Sequence, residues 1–580
     1  MRVSRTRQAA PPLLAALVAS ALVAAVLASS GEAPAQAAEK RPNVVVVMTD
    51  DQTVESIRAM PRVREQIGER GTTFASFFVS FPLCCPSRAT YLTGQYAHNT
   101  GVLGNQPPEG GFSALDSSET LAVWLQRDRY RTAHVGKYLN GYGDESTNTL
   151  VPPGWNDWRA AVQPVQRVFD YELNENGALV QYGAEPEDFK GDVITARAVE
   201  IVEDLAPSRR PFFLSVSYTA PHAGQEDEED GQAPGADCDN TAQPAPRHAQ
   251  AFVSEPLPRP PSFDEADVSD KPAAIRDLAP LGADAISNVT RRYRCRLASL
   301  LHVNEGVDSI LDALRDAGEL KETLVIFTSD NGFFHGEHRI RGGKNRLYEE
   351  AIRVPLLIRG PGIPDGRTVD EVTVNADLAP TILDATGAEA GLPQDGRSLL
   401  AYARTPRAKL GRALLLEVDY GKGVRTTRYS YVERNTGERE LYDLRDDPFE
   451  LDNRAGDPPY AAAQSALAAD LAELRGCAGR SCRARPDLAL KLRGHRVRRD
   501  RHRCAQGGVR ARVKGQDGGL VDIVEFSIDG HEVGEDGRGP FTHRLSPKRL
   551  RKHRKARVRA TATFVDGRAM TLDDTVRACR

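Results

Sequence analysis

At 580 residues the chain is too long for one ordinary domain and long enough for a large α/β core with an accessory module. A formal net charge of −4 excludes bulk electrostatic attraction as a reason to expect nucleic acid as a partner. Residues 1–37 join a basic start (Arg2, Arg5, Arg7) to an apolar stretch from Pro12 to Ala28 and the small-residue string Ala35-Gln36-Ala37. That order predicts a secretory signal peptide, hence a secreted or extracytoplasmic protein with no membrane span after cleavage. Beyond Cys84 and Cys85 the cysteines are Cys238, Cys295, Cys477, Cys482, Cys504 and Cys579, an even set suited to an oxidising compartment. We expect pairing in that order, 238 with 295, 477 with 482 and 504 with 579, although spacing alone does not fix it.

After the signal, Val44-Val45-Val46-Val47-Met48 runs into Asp50-Asp51. An apolar run without alternation reads as a strand buried on both faces of a parallel sheet. The design recurs at Thr323 to Thr328, which leads into Asp330-Asn331. In open α/β sheets ligands gather at the carboxyl ends of strands, so the two runs imply one shared site. Asp50, Asp51, Asp330 and Asn331 are hard oxygen donors, suited to Ca²⁺ or Mg²⁺. Between them lies Cys84-Cys85-Pro86-Ser87-Arg88, followed by Thr93-Gly94. Pro86 suits a first helical turn, which predicts that Cys84 sits just before a helix N-terminus. Free N–H groups and the Arg88 guanidinium would favour an oxyanion there.

The strand at Arg131 to Gly136 delivers Lys137, and that at Pro211 to Tyr218 delivers His222. Alternating helix and strand predict a large mixed, mostly parallel sheet sandwiched by helices. Residues 224–280 are acidic, then proline-rich, and read as a surface excursion over the rim of the site. A small antiparallel subdomain is expected from about residue 412, closing a catalytic domain over 40–475. A basic linker at 496–503 precedes short strands with Asp529-Gly530 and Asp566-Gly567 turns, which predict a separate all-β, immunoglobulin-like β-sandwich over 497–580. Its basic cluster at 548–555 reads as a solvated loop.

The string Cys84-x-Pro86-Ser87-Arg88 with Thr93-Gly94 resembles the signature of the type I sulfatases, members of the alkaline phosphatase superfamily. The resemblance covers residues 41–453. It implies that Cys84 is oxidised by a formylglycine-generating enzyme to formylglycine (3-oxoalanine), whose hydrated aldehyde is the nucleophile. By the same resemblance Asp50, Asp51, Asp330 and Asn331, with the modified Cys84, hold one divalent cation, usually calcium. Arg88 and Lys137 would bind the sulfate, and His222 and Lys344 would stand near the leaving group. Many arylsulfatases carry a histidine two residues after the first lysine, where this chain has Leu139. The string from Gly136 to Tyr142 instead resembles the N-acetylglucosamine-6-sulfatase and heparan 6-O-endosulfatase branch. His335, with Asn140 as a polar helper, is then the candidate base for releasing sulfate. The implied activity is hydrolysis of a sulfated sugar, other glycan or aryl sulfate. The alternatives are a phosphonate or phosphate ester hydrolase of the same superfamily and an inactive protein that binds sulfated glycans.

Overall fold

The apolar runs become strands of one ten-stranded sheet: β1 (Asn43–Thr49), β2 (Thr72–Phe74), β3 (Arg131–Gly136), β4 (Asp157–Ala161), β5 (Tyr171–Glu175), β6 (Ala178–Tyr182), β7 (Phe212–Ser217), β8 (Thr323–Ser329), β9 (Leu356–Arg359) and β10 (Arg367–Val369). Their order across the sheet is β10-β2-β9-β8-β1-β7-β3-β4-β5-β6. From β8 to β4 all neighbours are parallel, and antiparallel pairs flank this centre on both sides. The structure, a computed structural model, describes residues 41–222, 238, 241–405, 409–483, 485–499, 502–550 and 555–579. The expected signal peptide, the acidic run at 226–230 and the middle of the 548–555 cluster lie outside the described residues.

β1 shows why its sequence does not alternate. Val44, Val46 and Met48 enter one hydrophobic cluster while Val45 and Val47 enter another on the opposite face. β8 divides the same way, Leu324 and Ile326 against Val325 and Phe327. The first face is covered by α1 (Cys84–Thr93), α2 (Leu121–Arg127) and, further along the chain, the Leu378–Thr386 helix. The second is covered by α3 (Lys190–Leu205) and α4 (Ala283–Asp316). In α4 the buried Leu300, Val303, Val307, Ile310, Leu311 and Leu314 recur at helical spacing and form the stripe that meets the sheet. Each such side chain contributes about 1.5–3 kcal/mol on burial.

Register then builds a common rim. Thr49 lies opposite Ser329, so Asp50 and Asp330 leave adjacent strands at the same level. Gly136 lies opposite Ser217, which brings Lys137 to that rim. Gly136 has φ +102, and a Cβ there would stand 2.0 Å from the Ser217 carbonyl oxygen, so only glycine permits this approach.

Leu414–Val418, Gly421–Arg425, Tyr429–Arg434 and Arg439–Asp443 form an antiparallel four-stranded sheet, covered by the Ala461–Leu474 helix. Beyond it two further antiparallel sheets share one core that includes Phe526, Ala560 and Phe564. One of them begins at Ala489–Arg493, upstream of residue 497, because this strand pairs with Val509–Lys514. The basic stretch expected as a linker is a ribbon in which Arg496–Arg499 pairs with His502–Ala505. This tail is fastened to the rest of the unit: the Gly411 N–H donates to the Ala569 carbonyl at 2.7 Å, and Arg568 pairs with Asp470 at 3.2 Å. All three expected disulfides are present, and Cys84 and Cys85 are free and buried.

The excursion is not purely superficial. Within its described part Val268 and Ile275 are buried against Phe334 and Tyr348. Isolated apolar residues in a proline-rich stretch lack the periodicity that would have marked them as core.

Candidate active site

Cys84 is the first residue of α1, with Leu83 extended at the N-cap, so the helix starts one residue earlier than the position of Pro86 implied. Pro86 still falls within the first turn, where an N–H would have no intrahelical partner, so its missing donor costs nothing. The Cys85 N–H donates instead to Asn105 Oδ1 at 2.9 Å, and Gly94, at φ +69, ends the helix in the left-handed region.

The carboxylates converge as the register requires. The Asp51 N–H donates to Asp330 Oδ1 at 3.1 Å, and Asn331 Nδ2 donates to Asp51 Oδ1 at 2.6 Å. Asp51 itself has φ +68, a strained conformation for a non-glycine residue, held by these bonds and by Arg296, whose Nη2 donates to the Asp51 carbonyl at 2.6 Å. Arg88 Nε donates to Asp330 Oδ2 at 2.7 Å and its Nη2 stands 3.4 Å from Asp50 Oδ2. Lys137 Nζ contacts Asp50 Oδ2, and Lys344 Nζ contacts Asp51 Oδ1 and lies 3.1 Å from Cys84 Sγ. His222 Nε2 is 3.7 Å from Asp51 Oδ2.

The charges shape the titration of the set. Burial raises the Asp50 carboxyl, but Lys137, His222 and Arg88 outweigh it and hold this group well below the usual carboxylate range. At Asp330 burial and the neighbouring Asp50 charge win, and the group is raised. Burial, then Asp50, pushes the Cys84 thiol up to about 12. A thiol so placed is protonated near neutrality and is a poor nucleophile.

Ligand atoms of Asp50, Asp51, Cys84 and His222 all lie within 4.8 Å of one another. Among the described residues, buried Asp51 Oδ2 and Asn331 Oδ1 have no hydrogen-bond partner. Two orphaned oxygen acceptors beside three carboxylates fit a hard divalent cation, for which Asp50, Asp51, Asp330 and Asn331 would be the ligands. Six of the expected residues thus meet around Cys84 in addition to Asp50 and Asp51: Arg88, Lys137, His222, Asp330, Asn331 and Lys344.

His335 is placed differently. Its ring packs on Tyr293 at 5.4 Å and Phe333 at 5.3 Å, and none of its ring contacts is with that set. Burial, then Arg296 and Arg292, hold its imidazole well below its usual range. Asn140 lies beside the buried Cys85, which its backbone approaches. Sequence reasoning missed Arg296, which fixes Asp51, and Asn105, which occupies the start of α1. Neither carries a local signal, because each is a single polar residue brought to the site from a distant helix or loop.

A match to the Sulfatase family model spans residues 42–388. The chain belongs to the sulfatase family. A second model, N-sulphoglucosamine sulphohydrolase, C-terminal, matches residues 336–476 of this sulfatase. Human N-acetylglucosamine-6-sulfatase is 33% identical over 403 residues, covering 67% of this chain and 69% of the relative. A Caenorhabditis elegans homolog of the extracellular sulfatase Sulf-1 is 36% identical over 374 residues, covering 63% of this chain. The chain spans only 50% of the length of that relative. A solved structure of a protein in complex with its substrate D-glucosamine-2-N,6-O-disulfate superposes with a TM-score of 0.62 at 24% identity, over 77% of this chain and 98% of the other. This likeness establishes the alkaline-phosphatase-like α/β fold of the sulfatase core.

Proposed function

We propose that the protein is an exported hydrolase of sulfate esters on sugars, with Cys84, converted to formylglycine, as its nucleophilic residue. The observation that carries this reading is the surroundings of Cys84 Sγ. The atom is buried, within 3.4 Å of Asp50 Oδ1 and 3.1 Å of Lys344 Nζ, and its thiol is raised to about 12. An unmodified thiol there is inert, whereas a hydrated aldehyde offers a hydroxyl between a carboxylate and an ammonium. A bound divalent cation, Ca²⁺ before Mg²⁺ on the hardness of the donors, would polarise the sulfate and that hydroxyl.

The chain's own groups supply the rest. Arg88, Lys137 and Lys344 neutralise the charge spread over the sulfate oxygens. His222 and Lys344 stand where a proton can pass to the departing alcohol. Lys344 also lines an open cleft of about 530 Å³ with Arg341, Arg346, Asp419 and Tyr420, a mixed cationic and aromatic wall that suits a sulfated sugar. The similarity to N-acetylglucosamine-6-sulfatase points to the 6-O-sulfate of a glucosamine residue. The tail, two antiparallel sheets over one core, is read as an immunoglobulin-like module outside the chemistry.

The test is turnover of glucosamine-6-sulfate, an aryl sulfate, an aryl phosphate and a phosphonate ester by protein expressed with a formylglycine-generating enzyme. The two sulfates should dominate. A larger kcat/KM on either phosphorus ester would overturn the assignment in favour of a phosphonate or phosphate hydrolase. No turnover of any ester by fully modified protein would favour a glycan-binding role.

A further inference from the structure

A second cluster of donor atoms lies in the loop that follows β8 and carries Lys344. His338 belongs to this loop and is fully buried, Glu350 sits in the short helix Glu349–Ile352, and Glu450 follows the four-stranded sheet and is 1% exposed. One ligand atom from each lies within 4.8 Å of the other two. Among the described residues, His338 Nε2, Glu350 Oε2 and Glu450 Oε1 are shut off from solvent and have no hydrogen-bond partner. The Ser430 hydroxyl faces Glu450. An unsatisfied buried polar atom costs about 1–3 kcal/mol, so three that converge on one point call for an occupant.

The surroundings hold each donor in place, and the inner atoms face one another, with His338 Nε2 3.8 Å from Glu350 Oε2. His338 Nδ1 is 2.7 Å from Glu265 Oε2, and a proton on Nδ1 would turn the Nε2 lone pair inward. Tyr348 stacks on the His338 ring with centroids 4.4 Å apart. Glu450 Oε2 accepts the Glu349 N–H at 2.9 Å, and Glu350 Oε1 accepts from the Ser262 hydroxyl at 3.2 Å. Glu450 itself has φ +54, a conformation costly for a non-glycine residue. Lys271, 3.1 Å from Glu265 Oε1, is the cation in contact, while Arg425 is engaged by Glu349 at 2.8 Å.

We propose that His338, Glu350 and Glu450 bind a zinc-type divalent cation that ties the loop bearing Lys344 to the four-stranded sheet. An imidazole with two carboxylates is a borderline donor set that suits Zn²⁺, in contrast to the all-oxygen donors Asp50, Asp51, Asp330 and Asn331. Glu265 is the carboxylate that orients the ligating histidine. Glu350 also lines a cavity of about 560 Å³ with His335 and Glu337. The role is structural, since none of the three touches Cys84.

The experiment is calorimetric titration of Zn²⁺ into chelator-stripped full-length protein that has been saturated with Ca²⁺, so that the all-oxygen site is filled. One equivalent of Zn²⁺ should bind and raise the melting temperature. In Glu450→Gln the binding should weaken by about 100-fold or more, and in Glu265→Gln by about tenfold, with Ca²⁺ content unchanged in both. Absence of zinc binding to the wild-type protein, as expected if a shared proton bridges the carboxyls, overturns the proposal. So does undiminished binding by Glu450→Gln, or, should that variant not fold, by Glu265→Gln.

Discussion

Lys344 Nζ stands 3.1 Å from Cys84 Sγ while also contacting Asp51 Oδ1, so one ammonium touches both the proposed nucleophile position and a proposed metal-donor carboxylate. Asp330 is tied differently, to Arg88 Nε at 2.7 Å and to the Asp51 N–H at 3.1 Å. Lys344→Ala should therefore lower kcat by about 10²–10³-fold with the divalent cation retained. Asp330→Ala should abolish turnover and lose the cation. Metal analysis of both purified variants separates the two roles, and full calcium occupancy in Asp330→Ala would show that the donor set is misplaced.

Cys84 and Cys85 are neighbours to which the proposal gives opposite duties. Cys85 is buried among core residues that include Ala89 and Tyr91. Cys85→Ser should keep turnover and lose about 1 kcal/mol of stability, because the hydroxyl gives up the packing of the sulfur while the backbone of Asn140 and Gly111 still offers it partners. Cys84→Ala should keep stability and lose turnover. Denaturation curves alongside assays read both, and inactivity of a folded Cys85→Ser protein would contradict the division.

His302 gives a pH signature independent of the chemistry. Burial lowers its imidazole to about 4, against about 6.5 for an exposed histidine. Between those values the unfolded chain takes up a proton that the folded one refuses, so stability from this group is complete above about pH 6.5 and declines as pH falls toward 4. The stability advantage of the wild type over His302→Gln should therefore shrink by about 2 kcal/mol between pH 7 and pH 5. Urea denaturation at both values checks it, and parallel curves would contradict it.

Removing the tail has two separable consequences. None of the hydrogen bonds or ion pairs of its described residues reaches the Cys84 set, so a chain ending near residue 485 should turn over a small aryl sulfate nearly as the full chain does. Its strands nevertheless pair with residues 409–411, and the Thr426 hydroxyl donates to the Asp566 carbonyl at 2.9 Å. The shortened protein should melt at a lower temperature, a stronger dependence than a modest interface between domains would give. Loss of aryl sulfate turnover in a folded truncation would place the tail within the catalytic fold.

The rim of the sheet was legible because each of its contributions is local: an apolar run that ends in carboxylates, and a cysteine two residues before a proline. The disulfides followed the order of the chain. Arg296 and Asn105 were not legible, because their partners lie at sequence separations of 245 and 20 and their neighbours carry no motif. His335 was placed by its nearness in sequence to Asn331, yet aromatic packing on Tyr293 and Phe333 decides its position. The described part of the 224–280 excursion contributes core residues from a stretch with no period to read, and His338, Glu350 and Glu450 come together only once the loop after β8 has folded.

The central claim is that Cys84, not Cys85, becomes the nucleophile by oxidation to formylglycine. Peptide mass spectrometry of the α1 segment, on protein expressed with and without a formylglycine-generating enzyme, tests it most directly when paired with sulfate-ester turnover on the same samples. Because Cys84 is fully buried, conversion must precede folding, so enzyme added to the folded protein should modify nothing. The account predicts aldehyde at Cys84 alone, with turnover rising in proportion to its fraction. An active protein whose Cys84 is still a thiol would contradict it.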